Sequence, residues 1–420
     1  MRVGAALVTS LSAISLFAAD PFARLSLAPV DGGGLLPILE HPAMVIHPPL
    51  LYVGLLATLP AFLGVFACRR WLALSAATLT VALALGAWWS YAEQGWGGYW
   101  AWDPVENGGF LPWLAAVAAL HVPSTAGARL KTATSMAPFV LAMAGTWLTR
   151  SGNAASVHAF ADARVVGRAL LGVVVVLVVA SWVAVRRLPR GDGERVGGLH
   201  RMHLVANLMV LTVVGVGTLA PVIRRAVGGP LVAIDGRFFA RLLAPVVAVS
   251  LVGMAMATWR GRSAAQRLAH IGLGVMLVGV VGTVTGRHEL VILTPGQTAS
   301  VAGRSLVFAG TTQGVGSRPN TTEVRADVSV DGYEMSPSFV VFNTSNQLLV
   351  ETASSRRWWG DVQVVMAVRS TAGPTVFNVH VAPLQSLVWL GALVMAVGLC
   401  LASIRRWPTT PATCDHSLPQ

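Results

Sequence analysis

Four histidines and one short aromatic stretch are the parts of this chain whose residue types and spacing could do chemistry. His47 lies in VIHPPLLY, His158 in SGNAASVHAF, His121 in LAAVAALHVPS and His270 in RLAHIGLG. Neutral imidazole is a common metal ligand, and two histidines can bind the opposite faces of one iron. Which histidines form pairs therefore depends on the elements that carry them.

The aromatic stretch GWGGYWAWDPVEN places Trp96, Tyr99, Trp100 and Trp102 close together, with glycines among them. Indole faces offer a broad area for stacking, and glycine lets the backbone approach a flat ligand closely. An aromatic belt at a membrane interface is the alternative, although the rings of a belt are scattered. The stretch predicts a binding surface for a flat, largely apolar macrocycle with an iron at its centre.

Two charged residues accompany this surface. The order Asp103-Pro104-Val105-Glu106 is typical of a helix start, with an aspartate as N-cap and a proline at the first position. Capping is therefore the first interpretation of Asp103, and it is compatible with a role in shaping the aromatic surface. Arg150, in LTRSG, could pair with a propionate or could anchor its helix at a membrane interface.

The elements that carry these residues are predicted to be membrane helices. Of the 420 residues, 54% are hydrophobic and 11% are charged, whereas a soluble domain has about 25% charged residues. The mean hydropathy is +0.65. Long unbroken apolar runs predict an all-α polytopic membrane protein with about ten transmembrane helices. The predicted spans are 3–19, 48–67, 72–92, 109–125, 133–150, 165–185, 203–222, 240–259, 268–286 and 384–404.

Basic residues flank the apolar runs, so the net charge of +12 indicates membrane anchoring and no nucleic-acid partner. Their excess in alternate short loops predicts a bacterial inner-membrane protein with both termini in the cytoplasm. The first span could instead be a cleaved signal peptide, since Met1-Arg2 precedes an apolar run. Its length matches the other spans, and we therefore favour a membrane helix.

The segment 287–383 differs from the rest, because SLVFAG and TEVRADVSV are rich in Val and Thr and partly alternate. This pattern predicts a small periplasmic β domain inserted before the last helix. The predicted membrane domain is 1–286, with nine helices and the aromatic loop at 93–108. A last helix at 384–404 and a cytoplasmic tail at 405–420 complete the chain.

This topology sorts the histidines into two layers. His47 and His158 flank the aromatic stretch on the outer side and are candidate ligands on the two faces of one iron. His121 and His270 fall at similar depths near the inner side, where ionisable residues usually face a partner or a cavity. We predict that they ligate a second iron, with hydrogen-bonded or interfacial roles as the alternative. The remaining histidines, interpreted as surface or structural, are His41, His200, His203, His288, His380 and His416.

The cysteines Cys68, Cys400 and Cys414 lie at or near the predicted inner side, and no pair has C-x-x-C spacing. A redox motif or a zinc site is therefore not visible in the sequence. Thiol chemistry at the outer face would need sulfur atoms from a partner.

The segment WGGYWAWDPVEN matches the tryptophan-rich WWD signature of the heme-handling proteins of cytochrome c biogenesis. HPPLLYVG, TRSG…SVHAF and AHIGLG occur in the order of one family within that group. Over essentially its whole length, the chain resembles cytochrome c maturation protein F, the heme lyase component of System I. The resemblance implies covalent attachment of heme to the C-x-x-C-H cysteines of apocytochrome c.

The resemblance also implies a role for each candidate residue. The outer heme platform would consist of Trp96, Trp100, Trp102 and Asp103. His47 and His158 would be the axial ligands of the transient heme substrate. His121 and His270 would ligate a permanent heme b, which would pass electrons, from quinol, to keep the outer iron ferrous.

Several partners follow from the resemblance. They are a heme chaperone of the maturation protein E type, thiol-reducing and apocytochrome-presenting proteins of the H and I types, apocytochrome c and quinol. Members of the family have helices before the segment matching DPFARL, and more helices between the eighth and ninth spans. We therefore expect a split lyase, completed by a second polypeptide, or a minimal form.

Three alternative functions remain open at this point. A heme carrier would share the platform and deliver heme without forming the thioether bond. A b-type electron-transfer subunit would use only the heme between His121 and His270 and would not need the platform. A transporter would bind no heme at all.

Overall fold

The structure is a computed structural model that describes residues 2–24, 27, 35–64, 68–152, 164–190, 197–230, 234–257, 262–343, 346–368 and 373–405. Apolar helices make up most of these residues, and one group of strands precedes the last helix. The helices are α1 (Arg2–Ala13), α2 (Pro42–Leu56), α3 (Leu59–Phe62), α4 (Cys68–Glu93), α5 (Pro104–Leu120), α6 (Ala128–Arg150), α7 (Arg164–Arg187), α8 (Gly198–Ala226), α9 (Gly236–Ala257), α10 (Ala264–Val284) and α11 (Gln385–Ile404).

Seven helical stretches in the described ranges are long and apolar enough to cross a membrane. They are Pro42–Phe62, Cys68–Glu93, Val165–Arg187, His200–Ala226, Gly236–Ala255, Ala264–Val284 and Gln385–Ile404. The other three predicted spans correspond to α1 with the π-helical turn that follows it, to the 17-residue α5 and to α6. The chain is therefore a polytopic membrane protein with seven to ten apolar helices in the part described.

The start of the second predicted span was wrong. We placed it at residue 48, after His47, but α2 begins at Pro42 and contains His47. His41 caps the helix, because its Nδ1 accepts a hydrogen bond from the backbone N–H of Ala43 at 3.2 Å. Pro48 and Pro49, with which the predicted span begins, lie inside the helix, and Pro42 occupies its first position. His47 is therefore held on a helix and not in a loop.

The strands form two antiparallel sheets, in the order β1-β10-β9-β8 and β2-β3-β4-β6-β7, with β5 paired to β4. Phe308 of the larger sheet and Phe377 of the smaller one meet with ring centroids 4.9 Å apart, inside a shared apolar core. The sheets thus pack face to face. The strands are β1 (Arg287–Leu293), β2 (Thr298–Val301), β3 (Arg304–Val315), β4 (Thr321–Val330), β5 (Tyr333–Met335), β6 (Ser338–Phe342), β7 (Gln347–Glu351), β8 (Ala353–Ser355), β9 (Gly360–Met366) and β10 (Thr375–Pro383).

The β domain is inserted between two helices that pack closely on each other. β1 follows α10 after Gly286, and β10 leads into α11 through Leu384, whose φ is 57°. Along the helix contact, a Cβ added at Gly391 would collide with the backbone nitrogen of Met276, and one added at Gly272 with that of Met395. Small residues that let two backbones approach are typical of membrane helix pairs. This contact fixes the two ends of the β domain.

We predict that Gly391→Ala destabilises the protein, because its Cβ has no room at the α10–α11 contact. Overpacking of this kind costs about 1–3 kcal/mol. Thermal unfolding of the purified protein in mild detergent measures the loss. Gly215→Ala in α8 is the matched control, since no heavy atom lies within 4 Å of its added Cβ. Equal unfolding temperatures for the two variants would contradict the close contact.

Candidate functional site

The aromatic loop, residues 94–103, joins α4 to α5. Gly95 and Gly97 have φ angles of 67° and 79°, and Trp102 has a φ of 60°. Glycine adopts such conformations without steric cost, whereas they are uncommon for a bulky side chain. Strained backbone of this kind persists only where the surroundings enforce it, and it clusters at functional sites.

Asp103 is the N-cap of α5, as the sequence predicts. Its Oδ1 accepts hydrogen bonds from the backbone N–H groups of Val105 at 2.7 Å and Glu106 at 2.8 Å. Glu106 Oε2 in turn accepts a bond from the N–H of Ala101 at 2.8 Å. These bonds pair amide groups at the start of the helix and in the loop before it. The two carboxylates therefore fix the last turn of the aromatic loop.

The tryptophan rings of the loop are packed in part against the helices. Trp102 stacks on Phe239 of α9, with centroids 4.4 Å apart and planes at 10°. Trp100 lies edge-on to Trp102 at 6.4 Å and to Phe110 of α5 at 5.6 Å. Trp96 is 38% exposed, and its indole N–H donates to Gln94 Oε1 at 3.1 Å. One face of Trp102 is thus covered by protein, while all three indoles keep accessible area.

The β domain holds the aromatic loop through a contact between a glycine and a histidine. A Cβ added at Gly97 would collide with the imidazole of His380 in β10. His380 stacks on His288 of β1, with centroids 4.5 Å apart. Burial, assisted by His288, lowers the pKa of His380 to about 4. The ring is therefore uncharged at neutral pH and packs directly on the loop backbone.

Further contacts join the aromatic loop and the end of α4 to the β domain and to α11. Tyr91, near the end of α4, donates its hydroxyl to Asp361 Oδ2 at 3.1 Å. The side-chain amide of Gln363 donates to the carbonyl of Tyr91 at 2.9 Å. Tyr99 of the loop lies edge-on to Trp389 of α11 at 5.9 Å, and burial raises the pKa of its phenol. The loop is therefore held by α4, α11 and the β domain together.

His47 lies against α4. Its Nδ1 lies 2.7 Å from the carbonyl oxygen of Ala82. A carbonyl can only accept, so Nδ1 carries the proton and Nε2 keeps its lone pair, which is the arrangement of many metal-ligating histidines. A Cβ added at Gly86 would lie 2.7 Å from Cε1 of His47. The absence of a side chain at Gly86 thus makes room for the ring.

The structure gives less information on the other two residues predicted to lie on the outer side, His158 and Arg150. His158 lies outside the described residues, so its pairing with His47 stays a prediction. Arg150 is the last residue of α6 and its side chain is exposed. That position is compatible with both interpretations of the arginine, a propionate partner or an interfacial anchor.

Three histidines meet at the end of α5 that is far from the aromatic loop. His121 follows α5 directly, at the end opposite the aromatic loop. Its ring centroid lies 5.9 Å from that of His270 in α10 and 5.8 Å from that of His203 in α8. The structure thus brings the predicted pair together and adds His203, which is 8% exposed. The expectation that His203 is a surface residue or has only a structural role overlooked this cluster.

Backbone carbonyls orient two of these rings. Nδ1 of His121 lies 2.8 Å from the carbonyl of Val117, and Nδ1 of His270 lies 2.6 Å from that of Gln266. Both bonds place the proton on Nδ1, so the lone pair of each ring is on Nε2. Arg69 Nη1 donates to the carbonyl of the residue after His121 at 2.9 Å. The chain segment around His121 is therefore fixed as well.

An arginine and a cavity adjoin His270. Arg262 Nη1 donates to His270 Nε2 at 3.1 Å. A metal bound at Nε2 would replace this bond and release the guanidinium for an anionic substituent such as a propionate. A cavity of about 360 Å³ lies beside the ring, with Met254, Gly274 and Val275 among its apolar lining residues. The cluster therefore combines an imidazole nitrogen whose lone pair accepts from Arg262, a cation and apolar space.

This combination fits a metalloporphyrin better than a bare metal ion. In the described part of the chain, no three or more His, Cys, Asp and Glu side chains are arranged to hold a metal by themselves. A porphyrin supplies the equatorial ligands of its iron and needs the protein only at the axial positions. The Nε2 atoms of His121 and His270 could occupy those positions, with the adjoining cavity taking part of the macrocycle.

Two parts of the site were missed from the sequence. His203 lies near the start of α8, much as His270 lies near the start of α10. The depth comparison that paired His270 with His121 would also have found His203. The contact between His380 and Gly97 had no such signal, because it depends on where β10 lies relative to the aromatic loop.

Comparison with known proteins gives a consistent family relationship. The family model described as cytochrome C assembly protein matches residues 1–154. The chain is 32% identical to the probable cytochrome c-type biogenesis protein NrfE of Escherichia coli, over 96% of this chain and 79% of that protein. It is 29% identical to the cytochrome c-type biogenesis protein CycK of Rhizobium meliloti, over 95% and 75%.

A further relative and one solved structure extend this result. The cytochrome c-type biogenesis protein CcmF of Pseudomonas aeruginosa is 26% identical over 93% of this chain and 76% of its own length. The solved structure of a cytochrome c heme lyase CcmF matches with a TM-score of 0.70 and 21% identity, covering 87% of this chain and 73% of that one. At this identity the structural match shows the fold alone.

We predict that Gly97→Ala lowers the stability of the protein by more than the cost of placing an alanine at a positive φ. A non-glycine residue at positive φ costs about 1–2 kcal/mol, and the collision with His380 adds an overpacking cost of about 1–3 kcal/mol. Gly332→Ala is the matched control, because its φ is 81° and nothing lies within 4 Å of the added Cβ. Thermal unfolding in detergent and limited proteolysis of the loop measure the difference.

Removing the ring of His380 tests whether the collision with this ring causes the loss of stability. We expect His380→Ala to restore part of the stability lost in Gly97→Ala when the two changes are combined. Equal losses for Gly97→Ala and Gly332→Ala, without rescue, would show that the loop does not depend on this contact.

Proposed function

The chain belongs to the CcmF family of cytochrome c-type biogenesis proteins, and we propose that it acts as the heme lyase of cytochrome c maturation or as the core of that lyase. The aromatic loop carries this proposal. Its three indoles are held in place by a capped helix, by Phe239 and by the β domain, yet keep accessible area. A held aromatic surface suits a flat, apolar substrate that must be presented in one orientation.

The proposed reaction joins heme to apocytochrome c. Each cysteine thiol of a C-x-x-C-H segment adds across one vinyl group of the heme. A C–S bond and a C–H bond form, an S–H bond and the vinyl π bond are lost, and no atom leaves. Such a reaction requires mainly that vinyl and thiol are held together and that the iron stays ferrous. Both cysteines come from the substrate, which fits the absence of cysteines from the predicted outer segments.

We assign the outer residues to positioning of this substrate. Trp96, Trp100 and Trp102 provide stacking area, and Asp103 holds the loop end through its two backbone hydrogen bonds. His47, whose Nδ1 is fixed by the carbonyl of Ala82, is proposed as one ligand of the heme iron, and His158 is proposed as the other. Arg150 is proposed to pair with a propionate.

The inner histidines are proposed to hold a resident heme b. Heme b bound there would supply reversible one-electron transfer. His121 and His270 would hold this heme through their Nε2 atoms, since backbone carbonyls already fix both Nδ1 protons. Arg262 would give up its hydrogen bond to His270 Nε2 and pair with a propionate of the heme. His203, 5.8 Å from His121, would complete the wall of the site.

The location follows from the charge distribution and the helices. We propose a bacterial inner-membrane protein with both termini in the cytoplasm. The aromatic loop and the β domain would then lie on the periplasmic face, since the two contact each other directly at Gly97 and His380. The three-histidine cluster would lie toward the cytoplasmic side, at the other end of α5.

The proposed partners are those of the maturation pathway. Heme would arrive from a chaperone of the maturation protein E type, and proteins of the H and I types would present reduced apocytochrome c. Quinol would supply electrons to the inner heme.

We predict that Trp100→Ala combined with Trp102→Ala strongly lowers cytochrome c maturation. Each aromatic contact contributes about 0.5–1.5 kcal/mol beyond area burial, so loss of both predicts a fall of about tenfold or more. Heme-stained gels of a co-expressed c-type cytochrome measure the covalent product. Trp182→Ala is the control, because this ring is 59% exposed on α7.

The outcomes separate the three heme-based functions. Normal maturation by the double variant would rule out the lyase and favour the electron-transfer subunit. If the wild type releases heme to an acceptor protein and the acceptor never gains a thioether bond, the chain is a carrier.

We predict that His121→Ala and His270→Ala each abolish bound heme b, because each removes one of the two proposed axial nitrogens. Reduced-minus-oxidised and pyridine-hemochrome spectra of purified protein measure heme content and type. His203→Ala is expected to keep the heme and to shift its spectrum or potential, since the ring adjoins His121 without ligating. Heme retained in both ligand variants and lost in His203→Ala would show that the assigned pair is wrong.

A further inference from the structure

A second cavity lies where α4, α11 and the β domain meet. Its volume is about 560 Å³. The turn between β8 and β9, residues 356–359, has the sequence RRWW, and we name it the basic turn. Its residues Arg356, Arg357 and Trp358 line the cavity. This cavity is separate from the three-histidine cluster and from the tryptophans of the aromatic loop.

One side of the cavity is apolar and belongs to two membrane-span candidates. α4 contributes Val81, Leu85 and Trp88, and α11 contributes Trp389 and Leu393. Each helix lines the cavity over about two turns, or roughly 10 Å. A wall of this length and character can hold part of an acyl chain.

The opposite end of the cavity is cationic. Arg356 is exposed, and Arg357 stacks over Tyr333 with its guanidinium carbon 4.0 Å from the ring centroid. Asp361 also reaches the cavity, but Tyr91 donates to one of its oxygens and the backbone N–H of Arg357 donates to the other. Burial also raises the pKa of Asp361 and so disfavours its charged form. The two guanidinium groups therefore dominate the charge at this end.

The two ends are arranged like the parts of a membrane lipid. The basic turn belongs to the β domain, and Ser386 at the start of α11 donates to the carbonyl of Trp358 at 2.6 Å. The apolar wall continues from there into the helices. Trp358 is 75% exposed and Leu393 is 61% exposed. Tryptophan and arginine beside an apolar surface are typical of a membrane interface.

We propose that this cavity binds a phospholipid whose anionic headgroup pairs with Arg356 and Arg357 and whose acyl chain lies along α4 and α11. The lipid comes from the leaflet next to the β domain. A bound lipid fastens the basic turn to the two helices that also position the aromatic loop. The binding site does not depend on the proposed lyase activity.

Native mass spectrometry of the full-length, delipidated protein in mild detergent tests the site. Phosphatidylglycerol is added as the anionic lipid, and phosphatidylcholine as the zwitterionic one. We expect one phosphatidylglycerol to bind tightly to the wild type. Arg356→Gln combined with Arg357→Gln should weaken its binding by roughly ten- to thirtyfold. Phosphatidylcholine should bind more weakly and should be unaffected by the change.

Matched variants separate the site from general charge. Arg224→Gln combined with Arg225→Gln removes the same charge from an exposed pair at the end of α8, and it should leave phosphatidylglycerol binding unchanged. Ala84→Phe should also weaken binding, because it fills the apolar wall without changing charge. Thermal unfolding without lipid confirms that each variant folds.

Three results would overturn the proposal. They are equal binding of the two lipids, retention of phosphatidylglycerol by the folded Arg356→Gln/Arg357→Gln variant, and full displacement of the lipid by millimolar inorganic phosphate. The last result would show an anion site without an acyl-chain site. Cytochrome c maturation is measured separately, so failure of the lyase proposal leaves the lipid result interpretable.

Discussion

The packing of the β domain on the aromatic loop is the contact on which this end of the molecule depends. Gly97 leaves room for the uncharged ring of His380, and Tyr91 donates to Asp361 on the adjoining strand. The loop is rich in glycine and has little regular structure, so it could not hold three indoles in place alone. Because α10 and α11 pack backbone to backbone, the ends of the β domain are fixed, and the loop is fixed with them.

The three-histidine cluster depends on a different interaction, the hydrogen bonds that decide which imidazole nitrogen carries the proton. Backbone carbonyls accept from Nδ1 of His121 and His270, so each Nε2 keeps a lone pair. His47 is oriented in the same way by the carbonyl of Ala82 in α4. α5 connects the two regions, since it begins at the capped aromatic loop and ends at His121. A displacement of this helix would therefore reach both candidate heme sites.

Much of this architecture could be predicted from residue patterns, and the errors have identifiable causes. Apolar runs and a change to Val- and Thr-rich alternation predicted the helices and the late strands, because both signals are local. The Asp103 cap was also local. The start of α2 was misplaced because two proline positions offered the same signal. His203 was overlooked although its predicted depth matched that of His121 and His270. The contact between Gly97 and His380 joins segments far apart in the chain, so no local pattern could reveal it.

Cryo-electron microscopy of the purified protein incubated with ferrous heme would test the central claim most directly. The account predicts one heme between His121 and His270 and a second on the indoles of the aromatic loop, with His47 toward its iron. The absence of heme density from both the histidine cluster and the aromatic loop would contradict it.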